Sequence, residues 1–307
     1  MPGTMYSVII PVYNSQNTLE ELFERIDKCF EQHQLKYELI FVDDGSEDHS
    51  WQVLRKLKEN YNEKIKAIRF VRNFGQHNAV FCGLSYATGE FIITLDDDLQ
   101  HPPEEIPKLI EKHKKTSSEL VYGFYKKKKH SLFRNFGSKM IKKSSRFLYN
   151  SSGEGSSFRL FKSELGSKIQ NHSQSFVYID ELLLWYAADI SFVKVEHEKR
   201  KTGKSGYSSI KLFKLTQNLV LYYTAIPLKI MVYGGFFAAI ISFILGIYFI
   251  VRKIFFHVPH GYTSVIVTIL FSTGIIIFSL GIIGEYLTRI YMVQNKKPPY
   301  NIKQTLL

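Results

Sequence analysis

The stretch Phe91-Ile92-Ile93-Thr94-Leu95-Asp96-Asp97-Asp98-Leu99-Gln100-His101-Pro102-Pro103 decides how the rest of the chain is read. Its apolar opening has the length and composition of a buried strand. Three carboxylates follow where that strand must stop. Uncompensated charge is costly to bury, so these acids need a counter-ion or open water. If extended backbone continues past Leu95, Asp96 and Asp98 share one side and Asp97 takes the other. An Asp-x-Asp pair of this kind is a hard-oxygen site suited to Mg2+ or Mn2+, with phosphate completing the shell. Gln100 falls on the same side and offers a carbonyl oxygen. Pro102 and Pro103 end the strand and open a helix predicted over 104–115. A solvated acidic turn without an ion is the alternative, and the surroundings weigh against it.

Upstream, Ser7-Val8-Ile9-Ile10-Pro11-Val12-Tyr13-Asn14 reads as a first strand running into a loop. A near-continuous apolar run implies burial on both faces, as in a parallel sheet. Helices are predicted over 19–32, 51–60 and 79–87, and strands over 37–42 and 65–71. Strands alternating with helices indicate an α/β domain with a mainly parallel sheet. Loops at the carboxyl ends of such strands converge on a ligand. Asp43 or Asp44 can accept from a base imide or a ribose hydroxyl, and Tyr13 can lie against a base ring in a loop shaped by Pro11. Taken alone, Asp43-Asp44-Gly45-Ser46 also reads as a tight turn.

The net charge of +12 excludes an acidic solvating protein and points to an anionic partner. Clustered acids at the strand ends oppose nucleic-acid binding, and no helix reads as a groove-reading element. Cys29 and Cys82 give neither a disulfide framework nor a zinc spacing. No secretory signal is expected in the first 13 residues. Near residue 230 the composition changes. Ile230–Val251 carries no charge over 22 positions and Gly261–Gly284 none over 24. Each is long enough to cross about 30 Å of hydrocarbon as a helix. Ahead of them, 208–228 has the mixed pattern of a helix lying in the membrane interface. The expected organisation is a cytoplasmic domain over 1–207, an interfacial region over 208–229, two membrane helices (230–251 and 261–284) within 230–290, and a cytoplasmic tail over 291–307.

The first strand motif, Val42-Asp43-Asp44-Gly45-Ser46, Arg72-Asn73-Phe74-Gly75 and Asp96-Asp97-Asp98-Leu99-Gln100-His101-Pro102-Pro103 together resemble the motifs of family 2 glycosyltransferases. The branch that charges a polyprenyl phosphate with one sugar is the most similar. The resemblance implies a GT-A type nucleotide-sugar-binding domain, a divalent cation around Asp96, Asp98 and Gln100, and inversion at the anomeric carbon. It implies a donor site involving Pro11, Tyr13, Asn14, Asp43, Asp44, Gly75 and Asp97. One departure is Ser15, where family members usually carry Glu.

Further along, Leu132 to Met140 is similar to the relatives' acceptor segment. Arg134 and Ser138 lie four apart and share a helix face, a sensible grip for a phosphate. Arg200-Lys201-Thr202-Gly203-Lys204-Ser205-Gly206-Tyr207 resembles a family segment in which Arg200, Lys204 and Ser205 close over phosphates. Both stretches also read as ordinary basic surface. Gly155-Ser156-Ser157-Phe158-Arg159-Leu160-Phe161 resembles the family's small-residue strand facing the donor sugar. Asp180 and Glu181 open a helix predicted over 182–188. An acceptor phosphate is already ionised near neutral pH, so Asp180 is expected to orient rather than to deprotonate. The resemblance implies an enzyme moving one sugar, with UDP-glucose the first expectation and a UDP-amino sugar or GDP-mannose open, onto undecaprenyl phosphate at the inner membrane. A homo-oligomer is left open. A polymer-forming synthase of the same fold is the rival, disfavoured by only two crossings and by no Gln-x-x-Arg-Trp-like motif near Glu181–Trp185.

Overall fold

The computed structural model describes residues 4–124, 156–171, 177–198, 226–255, 261–295 and 298–307. The segments with Arg134, Ser138, Gly155, Arg200, Lys204 and Ser205, and the expected interfacial helix up to residue 225, lie outside them. The chain forms two compact units, Met1–Gly206 with Pro298–Leu307, and Tyr207–Lys297.

The first unit alternates strands and helices as the apolar pattern requires: β1 (Met5–Val12), α1 (Leu19–Gln32), β2 (Lys36–Asp43), α2 (Ser50–Asn60), β3 (Ile65–Phe70), α3 (Gln76–Leu84) and β4 (Phe91–Thr94). A 3-10 turn at Pro103–Glu105 leads into α4 (Ile106–Thr116), then β5 (Leu120–Phe124), β6 (Arg159–Lys162), α5 (Ser163–Gln170), α6 (Ile179–Tyr186) and β7 (Ile190–Lys194). The second unit holds α7 (Ile226–Phe255) and α8 (Tyr262–Gln294), after which β8 (Ile302–Leu306) rejoins the first.

One sheet of eight strands results, in the order β7-β5-β6-β4-β1-β2-β3-β8. β1 to β4 are mutually parallel, while β6 and β8 run against their neighbours. Val8, Ile9 and Ile10 of the central strand are fully buried. Burial on both faces explains the unbroken apolar run. Val8 and Ile10 pack with Leu22, Ile26 and Phe30 of α1 and with Leu54 of α2. α3 covers the opposite face, against β1 and β2. The chain leaves β1 toward β2 on one side, while β4 pairs on the other. That reversal is a topological switch point, and it opens a crevice at the carboxyl ends of β1 and β4.

Three boundaries differ from the sequence-based expectation. β4 stops at Thr94, and Leu99 adopts a positive φ of 59°, so extended backbone does not run on through the acids. The alternation of Asp96 and Asp98 against Asp97 therefore fails as a strand argument. α3 begins at Gln76 rather than residue 79, because Gly75 with φ of 98° breaks the preceding extended segment. Residues 302–306, expected as a plain tail, form an edge strand antiparallel to β3. In the second unit both long helices exceed the expected spans. Among the described residues one segment, Phe271–Tyr291, is long and apolar enough to cross a membrane.

Gly45, with φ of +69°, lets the loop after β2 touch the loop after β3: a Cβ there would lie 2.5 Å from the Arg72 carbonyl carbon. Gly45→Ala combines left-handed strain with a backbone clash and is expected to cost about 1–3 kcal/mol. Chemical denaturation of the full chain checks this.

Candidate active site

The crevice is lined by loops that begin where β1, β2 and β4 end, and their acids hold one another's backbones. Asp97 accepts from the Tyr13 N–H at 3.0 Å and from the Ser15 hydroxyl at 2.5 Å. Its own carbonyl accepts from Thr18 Oγ1 at 2.7 Å. The first loop is thereby tied to the acid cluster across the switch point. Ser15 thus supplies a hydroxyl donor to Asp97 from the first loop. Asn14 sits in the left-handed region with φ of 53°, its N–H donating to Ser46 Oγ and its Oδ1 accepting from the Glu47 N–H.

Asp43 and Asp44 are both buried. Asp43 Oδ1 accepts from the Ser46 N–H at 2.8 Å. Its Oδ2 lies 3.2 Å from Arg69 Nε, an ion pair without hydrogen-bond alignment. Asp44 accepts from the N–H groups of Phe74 and Gly75 at 2.6 and 2.8 Å. It therefore holds the loop before α3. Burial lifts the Asp44 carboxyl to about 6, against the pull of those two N–H donors.

Asp96 accepts from Gln76 Nε2 at the start of α3 and from Ser157 Oγ just before β6. Burial raises it to about 6, opposed by the Ser157 hydroxyl and reinforced by the Asp98 charge. Asp97 is raised further, to about 7, again chiefly by burial. Asp98 accepts from the Gln100 N–H at 3.1 Å, and the Gln100 carbonyl accepts from the Glu198 N–H at 2.9 Å. Among the described residues no three His, Cys, Asp or Glu side chains form a metal site by themselves. Adjacent desolvated carboxylates with raised proton affinity nevertheless suit a hard cation that borrows further oxygens from a ligand.

Asp180 does not stand free as a base. It is ion-paired to Arg159, whose side chain is 2% exposed, and it accepts from the Tyr122 hydroxyl at 3.3 Å. Burial works against the Arg159 charge, but the Asp180 carboxylate outweighs it. Arg159 Nε donates to Thr94 Oγ1 at 2.9 Å, and that hydroxyl donates to the Ser157 carbonyl at 2.5 Å. A polar chain thus runs from Asp180 to Asp96. His77 packs against Tyr178 at 4.4 Å between ring centres, and burial lowers it to about 4, so it is neutral.

Gln76 and Thr94 had no assigned role in the sequence reading, and Ser157 and Arg159 had only their place in a segment similar to one that faces the donor sugar. One signal for Arg159 was present: a cation between Phe158 and Leu160 in an apolar strand must find a buried counter-ion.

Residues 7–176 match the glycosyl transferase family 2 pattern. The chain belongs to this family. Residues 226–290 match the GtrB C-terminal hairpin. Undecaprenyl-phosphate 4-deoxy-4-formamido-L-arabinose transferase of Klebsiella pneumoniae strain 342 is 32% identical, over 99% of this chain and 94% of its own. The same-named protein of strain ATCC 700721 is equally similar, at 32%. Among solved structures, glucosyl-3-phosphoglycerate synthase from Mycobacterium tuberculosis, in complex with Mn2+, UDP and phosphoglyceric acid, superposes with a TM-score of 0.52. It is 17% identical and covers 71% of this chain and 77% of its own, which establishes a shared GT-A-like fold.

Two outcomes are expected. Asp180→Ala strands the buried Arg159 guanidinium and should cost about 3–5 kcal/mol in denaturant unfolding. The second concerns Asp44, whose carboxyl is protonated in the folded state and ionised in the unfolded state between its ordinary 3.8 and about 6. The folded state then binds more protons, so this group's contribution to stability declines as pH rises through that window. Asp44→Asn should remove that decline from the unfolding midpoint measured between pH 4 and 7.

Proposed function

We propose that the protein transfers one sugar from a nucleoside-diphosphate sugar to a polyprenyl phosphate, with inversion at the anomeric carbon. The observation that carries this reading is an acid-lined crevice at the strand ends in a chain similar along its whole length to undecaprenyl-phosphate sugar transferases. Such similarity to enzymes named for a single sugar also argues against the polymer-forming rival.

In this reading Asp96, Asp98 and Gln100 hold Mg2+ or Mn2+. The fit rests on the burial-raised Asp96 beside the Asp98 charge, a pair that a divalent cation would relieve. When bound, the cation would neutralise charge on the departing diphosphate. Asp97 fixes the Tyr13–Ser15 backbone against the nucleotide, and Tyr13, 43% exposed, lies against the base. Pro11 and Asn14 shape the same loop, while Asp43, Asp44 and Gly75 set the floor of the nucleoside pocket. Asp180, through Arg159, Thr94 and Ser157, orients Asp96. Arg134, Ser138, Arg200, Lys204 and Ser205 are assigned to the acceptor phosphate. No protein base is needed for an ionised phosphate, so positioning supplies much of the rate.

The domain limits are kept as expected from the sequence, and residues 298–307 of the 291–307 tail pack with the first unit. Two crossings, over 230–251 and within α8, are supported by the hairpin match over 226–290. The β8–β3 pairing agrees with them, since it needs both ends of the hairpin on one side of the bilayer. In this reading the catalytic unit lies on the cytoplasmic face of the inner membrane. For the sugar we retain UDP-glucose as the first donor, alongside the formamido-arabinose of the relatives.

The test mixes purified full-length protein with undecaprenyl phosphate, Mg2+ or Mn2+, and in turn UDP-glucose, UDP-N-acetylglucosamine, GDP-mannose and UDP-4-deoxy-4-formamido-L-arabinose. A lipid-linked sugar of matching mass is expected with one donor, and none with any donor overturns the reading. Asp98→Ala should fold normally and lose more than about 100-fold in kcat, as should the wild type after chelation.

A further inference from the structure

The segment after α8 packs against one loop of the catalytic unit. Tyr300 stacks on Phe70, with ring centres 5.0 Å apart and an angle of 9°. It also meets Phe81 of α3 edge-on at 6.4 Å. The Val71 N–H donates to the Asn301 carbonyl at 3.1 Å. Phe70 in turn meets Phe74 edge-on at 5.7 Å. The loop over residues 71–75, which runs from β3 into α3, therefore begins against the tail. Its far end is held by Asp44, through the N–H groups of Phe74 and Gly75.

Between those holds the Arg72–Asn73 backbone touches the turn at Gly45, and the Arg72 guanidinium lies over the Phe74 ring, 5.0 Å from its centre. Val71 is 47% exposed, and Arg72 and Asn73 are exposed with it. Order in such a segment rests on a few local contacts, because little apolar surface is buried. We infer that Tyr300 is a positioning residue: with Asn301 it holds the 71–75 loop from the sheet edge, so that the chain emerging from the membrane helices sets the affinity for the donor nucleotide. The second half of this inference rests on the transferase reading above, in which Gly75 and Asp44 belong to the nucleoside pocket. The first half does not.

The test compares Tyr300→Ala and Tyr300→Phe in the full-length protein. Amide exchange at Phe74 and Gly75 should quicken by roughly fivefold or more in Tyr300→Ala, with β1 and β2 amides unchanged. Donor KM should rise about fivefold to tenfold with kcat within about twofold, the signature of lost ground-state binding. Tyr300→Phe keeps the stacked ring and loses only the hydroxyl's hydrogen bonds to Cys82 and Ser85, away from the 71–75 loop, so it should stay within about twofold of the wild type in both. If Tyr300→Ala does not fold, Tyr300→Leu, which keeps bulk but loses the flat stack, carries the same expectations. Unchanged exchange at 74–75, a uniform rise across β1 and β2, or an unaltered donor KM each overturns the inference. If the wild-type protein transfers no sugar, the transferase reading fails instead, and the exchange measurement alone decides whether the tail holds the loop.

Discussion

Five carboxylates crowd the carboxyl ends of β2 and β4, and satisfying them shapes everything around the crevice. A desolvated carboxylate must find donors or give up its charge. Asp97 takes its donors from the first loop, Asp44 from the loop before α3, and Asp43 from Ser46. Asp97 and Asp44 thus stitch their strand ends to other loops, while Asp43 closes its own turn. Asp96 and Asp97 are nevertheless left with raised proton affinity, chiefly through burial. This residual electrostatic tension is what the proposed cation would relieve.

A second network stands behind the first. Tyr122, Asp180, Arg159, Thr94 and Ser157 connect β5, α6, β6 and β4 to the back of Asp96. Replacing such a buried pair with apolar side chains is often neutral for stability, whereas removing one partner is not. In the proposed transferase its use is directional. A carboxylate whose donors are themselves fixed cannot swing, and a reacting group gains most from being held in place.

The layered α/β fold was legible because the strands are buried on both faces and therefore nearly free of polar residues. Ser7–Asn14 and Phe91–Leu95 needed no tertiary information to be read. The acid cluster was legible for the opposite reason, since three charges at a strand end have no structural excuse. The orientation of those acids was not. It depends on Leu99 turning left-handed and on partners such as Gln76 and Ser157, distant in sequence from the acids they meet. Asp180 was visible as a candidate, but its partner Arg159 was not, because pairing across 21 positions leaves no local pattern. β8 escaped notice because Ile302-Lys303-Gln304-Thr305-Leu306 has only its two ends partly buried. An edge strand covered on one side carries too weak an alternation to stand out.

The position of β8 in the sheet also orders events during synthesis. Its partner β3 is made long before it, and both long helices are threaded out of the ribosome in between. Until the final strand arrives, β3 presents an open row of backbone donors and acceptors, the kind of border that invites pairing with a neighbouring nascent chain. The first unit therefore finishes its sheet only after both long helices have been translated, and a chain that failed to carry β8 back to β3 would leave that border uncovered.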